Sequence, residues 1–129
     1  MALRVRQIKG IAMRKVVIYH NPRCTKSRET LKLLAENGVR AEIVEYLKTP
    51  PTAEELARIL SMLAKSPRDI LRKKEAAAAG IDAAGMDDDS LIRAMVAHPE
   101  VIERPIVVAN GKAALGRPPE SVLSVLHDR

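Results

Sequence analysis

The chain has 129 residues, 47% hydrophobic and 29% charged, the balance of a folded globular protein rather than a disordered one, and with domains usually about 100–150 residues long one compact core is expected. Tyr19 and Tyr46 are the only aromatics, which leaves Leu, Ile, Val, Ala and Met to fill that core and supplies no row of rings on which nucleic-acid bases could stack. The net charge of +6 lies at one end: five of the 22 basic residues, Arg4, Arg6, Lys9, Arg14 and Lys15, fall in the first 15 positions with no acid among them, leaving 17 bases against 16 acids afterwards, so it reads as a solvated basic tail and not as a field that steers DNA or RNA.

Residues 1–12 are read as an amino-terminal extension, disordered or preceding an alternative start at Met13. They lack the continuous apolar segment of a signal peptide, and a transit peptide is the weaker reading. No run approaches the roughly 18 apolar residues of a membrane span, so a cytoplasmic protein is expected. The domain itself is placed at 13–129. Its single cysteine, Cys24, rules out an internal disulfide and a cysteine-based zinc cluster. Any redox chemistry must borrow a second thiol.

Val16 to Tyr19 is a short β-branched run broken by His20-Asn21-Pro22, which predicts a buried strand entering a loop. From Cys24 to Asn37, Thr30, Leu31, Leu34 and Ala35 fall at helical spacing, and Asn37-Gly38 ends the helix. Residues 41–47 predict a second strand. Thr49-Pro50-Pro51 is a stiff connector, and Thr52 with Glu55 forms a capping box ahead of Leu56, Ile59, Leu60 and Leu63. Ser66-Pro67 repeats the start signal for a helical turn carrying Ile70, Leu71 and Arg72. The alanines after residue 75 extend a helix as far as Gly80. Asp87 to Asp89 cap a further helix with Leu91, Ile92, Met95 and Val96, closed by His98-Pro99. Pro105 to Ala109 and Lys112 to Leu115 are strands joined by the hairpin signal Asn110-Gly111. Gly116-Arg117-Pro118-Pro119 then leads into a helix bearing Val122, Leu123, Val125 and Leu126. The order β-α-β, helical insertion, β-β-α is that of an α/β fold of thioredoxin or glutaredoxin type, with a mixed sheet.

Cys24 falls just after a strand, in the first turn of a helix, where unpaired amides and the helix dipole favour an anion. Arg23, Lys26 and Arg28 add positive charge beside it. A thiolate-forming cysteine is therefore expected, against the plainer alternative of a small buried hydrophobe. Arg72, Arg104 and Arg117 lie at turns or before prolines, where planar guanidinium groups suit a tetrahedral oxyanion through paired hydrogen bonds; taken singly, each could be a solvated surface charge. His20 could bond the loop or the thiolate. Ser27 completes a C-x-x-S pattern, and its hydroxyl could donate to the sulfur or belong to an ordinary first-turn serine. His98 and His127 have no partners at ligand spacing and read as helix-end residues; no metal site is expected. Arg104-Pro105 is a candidate cis peptide.

Four spaced motifs, Tyr19-His20-Asn21-Pro22-Arg23-Cys24-Thr25-Lys26-Ser27-Arg28, Ile70-Leu71-Arg72-Lys73-Lys74, Arg104-Pro105-Ile106-Val107-Val108 and Gly116-Arg117-Pro118, together resemble the glutaredoxin-dependent arsenate reductases, over about Val16 to Leu126. The resemblance implies that Cys24 attacks arsenate to form a thiol–arsenate adduct, and that Arg72, Arg104 and Arg117 bind the oxyanion. It implies that His20, Ser27 and Arg28 support the site. With no resolving cysteine, it implies glutathione as co-substrate and glutaredoxin as the partner that reduces the mixed disulfide. No bound cofactor, no membrane and no nucleic-acid partner are implied, and a monomer is expected. The same fold carries Spx-type regulators that bind RNA polymerase, whose redox switch is a C-x-x-C pair; here Ser27 takes the second position. A glutathione-dependent thiol protein with another substrate is the other reading left open. Lys26 departs from the small polar residue expected there.

Overall fold

The computed structural model describes residues 15–126; the extension 1–12 and His127 lie outside them. The chain forms two compact units, one comprising the residues up to Val44 and from Arg104 onward, the other Glu45–Glu103.

The first unit is built on strands β1 (Val17–His20), β2 (Glu42–Glu45, whose last residue belongs to the second unit), β3 (Ile106–Ala109) and β4 (Lys112–Leu115), with helix α1 (Thr25–Glu36). The mixed sheet has the order β2-β1-β3-β4. β1 pairs antiparallel with β3, Ile18 opposite Val107, and β3 with β4, Ile106 opposite Leu115. Asn110 and Gly111 both take positive φ, 58° and 73°, the backbone of a type I′ turn whose twist matches the strands it joins. The Asn110 side-chain amide donates to the Val125 carbonyl at 3.0 Å, tying the hairpin to the last helix. Val16, Ile18, Leu34, Val107, Ala109, Val122, Val125 and Leu126 form one core, aliphatic as the composition requires.

Two elements here differ from expectation. The strand predicted over 41–47 stops at Glu45, because the amides of Lys48 and Thr49 both bond back to the Glu45 carbonyl, at 2.9 and 3.0 Å, and turn the chain. The last helix, Pro119–Val125, is a 3₁₀ helix. Its buried residues Pro119, Val122 and Val125 repeat every third position, the period of a 3₁₀ helix and not of an α-helix.

The second unit is helical: α2 (Ala53–Leu63), α3 (Lys73–Ala78) and α4 (Asp88–Ala97), with 3₁₀ turns at Pro67–Ile70, Ala83–Gly85 and Pro99–Val101. Leu56, Ile59, Leu60, Ile70, Leu91, Ile92, Met95 and Val101 are buried. The capping box predicted at Thr52 and Glu55 is present in both directions, at 3.0 and 2.8 Å, and Asp87 caps α4 through the Ser90 amide at 2.8 Å. Thr52→Ala is expected to lower unfolding stability by about 1 kcal/mol, read as a lower urea midpoint with an unchanged slope; an unchanged midpoint would mean that α2 does not depend on its cap.

The helical turn beginning at Ser66-Pro67 ends at Ile70, two residues short of Arg72. Leu71 is drawn into an antiparallel bridge with Ile102, the Arg72 amide donates to the Val101 carbonyl at 2.7 Å, and the Glu103 amide donates to the Ile70 carbonyl at 2.8 Å. These long-range bonds override a local helical preference. Arg72 is consequently the N-cap of α3 and does not end a helical turn. The alanine helix runs to Ala78 and yields to Gly80 at φ +77°, where the expected stop lies.

Candidate active site

The loop after β1 is shaped by Asn21. Its side-chain oxygen accepts from the Arg23 amide at 3.0 Å, a local turn that asparagine forms readily, and its carbonyl accepts from the Cys24 amide at 2.9 Å. The Asn21 amide in turn donates to the buried Ser27 hydroxyl at 3.3 Å. Arg28 reaches back to the Pro22 carbonyl at 2.8 Å and to the Thr25 hydroxyl at 3.4 Å. His20, the last residue of β1, is buried beneath this loop's start. From sequence, Asn21 reads only as part of the break after the strand. The Asn-Pro pair ahead of the cysteine was the available signal for its structural role.

These bonds deliver Cys24, half-buried, to the N-cap of α1 with an extended backbone, φ −91° and ψ 124°. The neutral side chain makes no capping hydrogen bond; ionised, its sulfur is the acceptor that the α1 amides face. Burial pushes the Cys24 thiol up, but the Ser27 amide, the Arg104 guanidinium by hydrogen bond and by charge, and the Lys26 amide outweigh it, and the thiol lies below its ordinary value. The direction and the part played by the helix-start amides are as expected; the source of the positive charge differs. Of the three neighbours expected to supply the charge, Arg28 is turned to the Pro22 carbonyl and Lys26 pairs with Glu29 at 3.8 Å; Arg104, 80 positions along the chain, is the cation that acts on the sulfur. Ser27 lowers the thiol through its backbone amide, while its hydroxyl oxygen accepts from the Asn21 amide.

Arg104 precedes β3, and its peptide bond to Pro105 is cis, as is that between Arg117 and Pro118. The first matches the sequence expectation, and the second has no counterpart in it. The Gly116 amide donates to the Pro105 carbonyl at 2.9 Å and Arg117 Nη1 donates to the Arg104 carbonyl at 3.0 Å. The two segments that carry Arg104 and Arg117 are thus fastened to each other. Cys24, Ser27, Arg104 and Arg117 all belong to the first unit.

Arg72 belongs to the second unit. Its Nη1 bonds Glu103 Oε1 at 2.9 Å and its Nη2 bonds Glu75 Oε2 at 3.1 Å, with about a fifth of the side chain exposed. Burial works against its charge, but the two carboxylates outweigh that and hold the guanidinium pKa above its ordinary value. The two carboxylates fix the orientation of the guanidinium. Among the described residues no group of three His, Cys, Asp or Glu side chains is placed to hold a metal ion, and no helix is long and apolar enough to cross a membrane.

Known proteins resemble this chain over most of its length. An uncharacterized protein of Escherichia coli is 52% identical over 116 residues, covering 88% of this chain and 98% of its own. An arsenate reductase of Neisseria meningitidis is 49% identical over 117 residues, covering 88% of this chain and all of its own. The solved structure of an arsenate reductase from Vibrio cholerae superposes with a TM-score of 0.82 at 48% identity, over 87% of this chain and 98% of that one. Residues 19–125, from the second half of β1 through the final 3₁₀ helix, match the ArsC family, and this chain belongs to that family.

Proposed function

We propose that this protein reduces arsenate to arsenite at Cys24, with glutathione and glutaredoxin supplying the electrons. The observation that carries the reading is the Cys24 sulfur set at a helix N-terminus under the Arg104 guanidinium, in a chain whose relatives include arsenate reductases. A cysteine so placed is a nucleophile at neutral pH. Its thiolate attacks the arsenic of arsenate, a sulfur–arsenic bond forms, and an arsenate oxygen leaves as water after protonation. Arg104 offsets the charge on the remaining oxygens, with Arg117 and Arg72 as further oxyanion donors. His20, Ser27 and Arg28 act through the loop and helix start that hold the sulfur.

The second half needs a thiol from outside, since Cys24 is the one cysteine of the sequence. A glutathione thiolate attacks the Cys24 sulfur, and the sulfur–arsenic bond breaks with its electron pair left on arsenic. Arsenic(V) thereby becomes arsenic(III), while two thiols become one mixed disulfide. Glutaredoxin with further glutathione reduces that disulfide and returns the Cys24 thiolate. No bound cofactor is required, and this chemistry fits a reducing cytoplasm and a monomeric enzyme.

Exchanging the electron donor tests this half. Arsenite formation should require glutathione and glutaredoxin together and stop when either is withheld. Equal rates with a thioredoxin system and no glutathione would overturn the donor assignment while leaving Cys24 as the nucleophile.

A further inference from the structure

We propose that Gly116 is a positioning residue whose missing side chain lets Pro105 seat against Thr30 of α1, and so sets the Arg104 guanidinium on the Cys24 sulfur. A Cβ built at Gly116 would stand 2.4 Å from Thr30 Oγ1 and 2.7 Å from Pro105 Cγ, both inside any real contact of such an atom. Gly116 is not among the residues with positive φ, so its backbone is one that any residue adopts. Contact alone demands glycine here.

Neither neighbour gives way easily. Thr30 is fully buried in α1, and a β-branched side chain in a helix has few rotamers to retreat into. The Pro105 ring is fully buried too, and its carbonyl is held by the Gly116 amide at 2.9 Å. An added methyl must therefore move the Arg104-Pro105 segment relative to α1, the helix whose first turn carries Cys24. It also moves Arg117, which follows Gly116 directly and bonds the Arg104 carbonyl. Three site residues thus take their spacing from one contact.

The consequence is read at the thiol. Around Cys24, His20, Arg23, Lys26, Arg28 and Glu29 lie on β1, the loop and α1, and keep their places; Arg104 is the charge that shifts away. The inference rests on the proposed function for its meaning in turnover, whereas its test reads the thiol without arsenate, so failure of the arsenate assay and failure of this inference are separate results.

The test is the pH dependence of Cys24 alkylation by iodoacetamide in wild type, Gly116→Ala and Gly85→Ala, with circular dichroism melts for each. Gly85 is a control in open surroundings, its nearest contact being Asp82 Oδ2 at an ordinary 3.8 Å. The midpoint is expected to rise by about one pH unit in Gly116→Ala, the scale of weakening one nearby opposite charge, and to stay in place in Gly85→Ala. A folded Gly116→Ala with the wild-type midpoint would overturn the proposal. Should Gly116→Ala not fold, the double variant Gly116→Ala, Thr30→Ala removes the Thr30 oxygen and leaves the Pro105 contact. Its midpoint should still exceed that of Thr30→Ala alone. An equal midpoint, or failure of both Gly116 variants to fold, makes the glycine a requirement of the fold and not a positioning residue.

Discussion

Cys24→Ser removes arsenate-dependent turnover, with a loss of about a thousandfold or more expected for a nucleophile on which both half-reactions depend. A serine hydroxyl does not ionise near neutral pH, forms no sulfur–arsenic bond and cannot pass through a mixed disulfide. The substitution is clean because of where the residue sits. Cys24 occupies the N-cap of α1 and its neutral side chain makes no capping hydrogen bond, whereas serine is among the better N-cap residues. At a pH low enough that the wild-type thiol is neutral, melting temperature should therefore hold or rise slightly, while activity vanishes at every pH. Activity within tenfold of wild type would remove Cys24 from the mechanism.

Arg104→Ala has the second largest expected effect. It deletes the side chain that bonds the Cys24 sulfur and also the proposed donor to arsenate, and loss of one such donor costs about 100- to 1,000-fold in kcat, or roughly 3–4 kcal/mol. The thiol responds as well. With Arg104 gone, burial is opposed only by the Ser27 and Lys26 amides, and the alkylation midpoint of Cys24 must move up. Stability follows with a definite sign. A thiol whose folded pKa lies below its unfolded one contributes stability that is present above the unfolded value and lost as pH falls through the folded value. Wild type should gain stability as pH rises across that window, and Arg104→Ala should gain less. Arg104→Lys keeps the charge without the planar fork, so it should restore the alkylation midpoint better than it restores kcat/KM. Wild-type turnover in Arg104→Ala, with an unmoved midpoint, would contradict both roles.

Much of this molecule was legible from local signals. The Thr52–Glu55 box, the Asp87 cap and the Asn110-Gly111 turn act within three or four residues of themselves, so their chemistry is written in adjacent letters, and the structure has all three. Cys24 at a helix start was legible for the same reason. What escaped was set by long-range contacts. The Ser66-Pro67 helix is cut short by a bridge from Leu71 to Ile102, 31 positions away. The helix-start amides that lower the Cys24 pKa are legible in the sequence, but the charge is not: Arg28 turns to Pro22 and Thr25, Lys26 pairs with Glu29, and the cation that acts on the sulfur arrives from just before β3. The last helix winds as 3₁₀ because its buried residues recur every third position, a period visible in Pro119, Val122 and Val125 once that face is known to be covered. Arg72 is legible as a candidate oxyanion donor, whereas its partner Glu103, 31 positions along the chain, is not.

NADPH oxidation by the wild-type protein, with glutathione, glutaredoxin and glutathione reductase present and arsenate varied from zero, tests the central claim most directly. The account predicts a rate that rises from the arsenate-free blank and saturates with arsenate. A Cys24 that alkylates readily below the ordinary thiol range, in a protein whose NADPH oxidation never exceeds that blank, would contradict it.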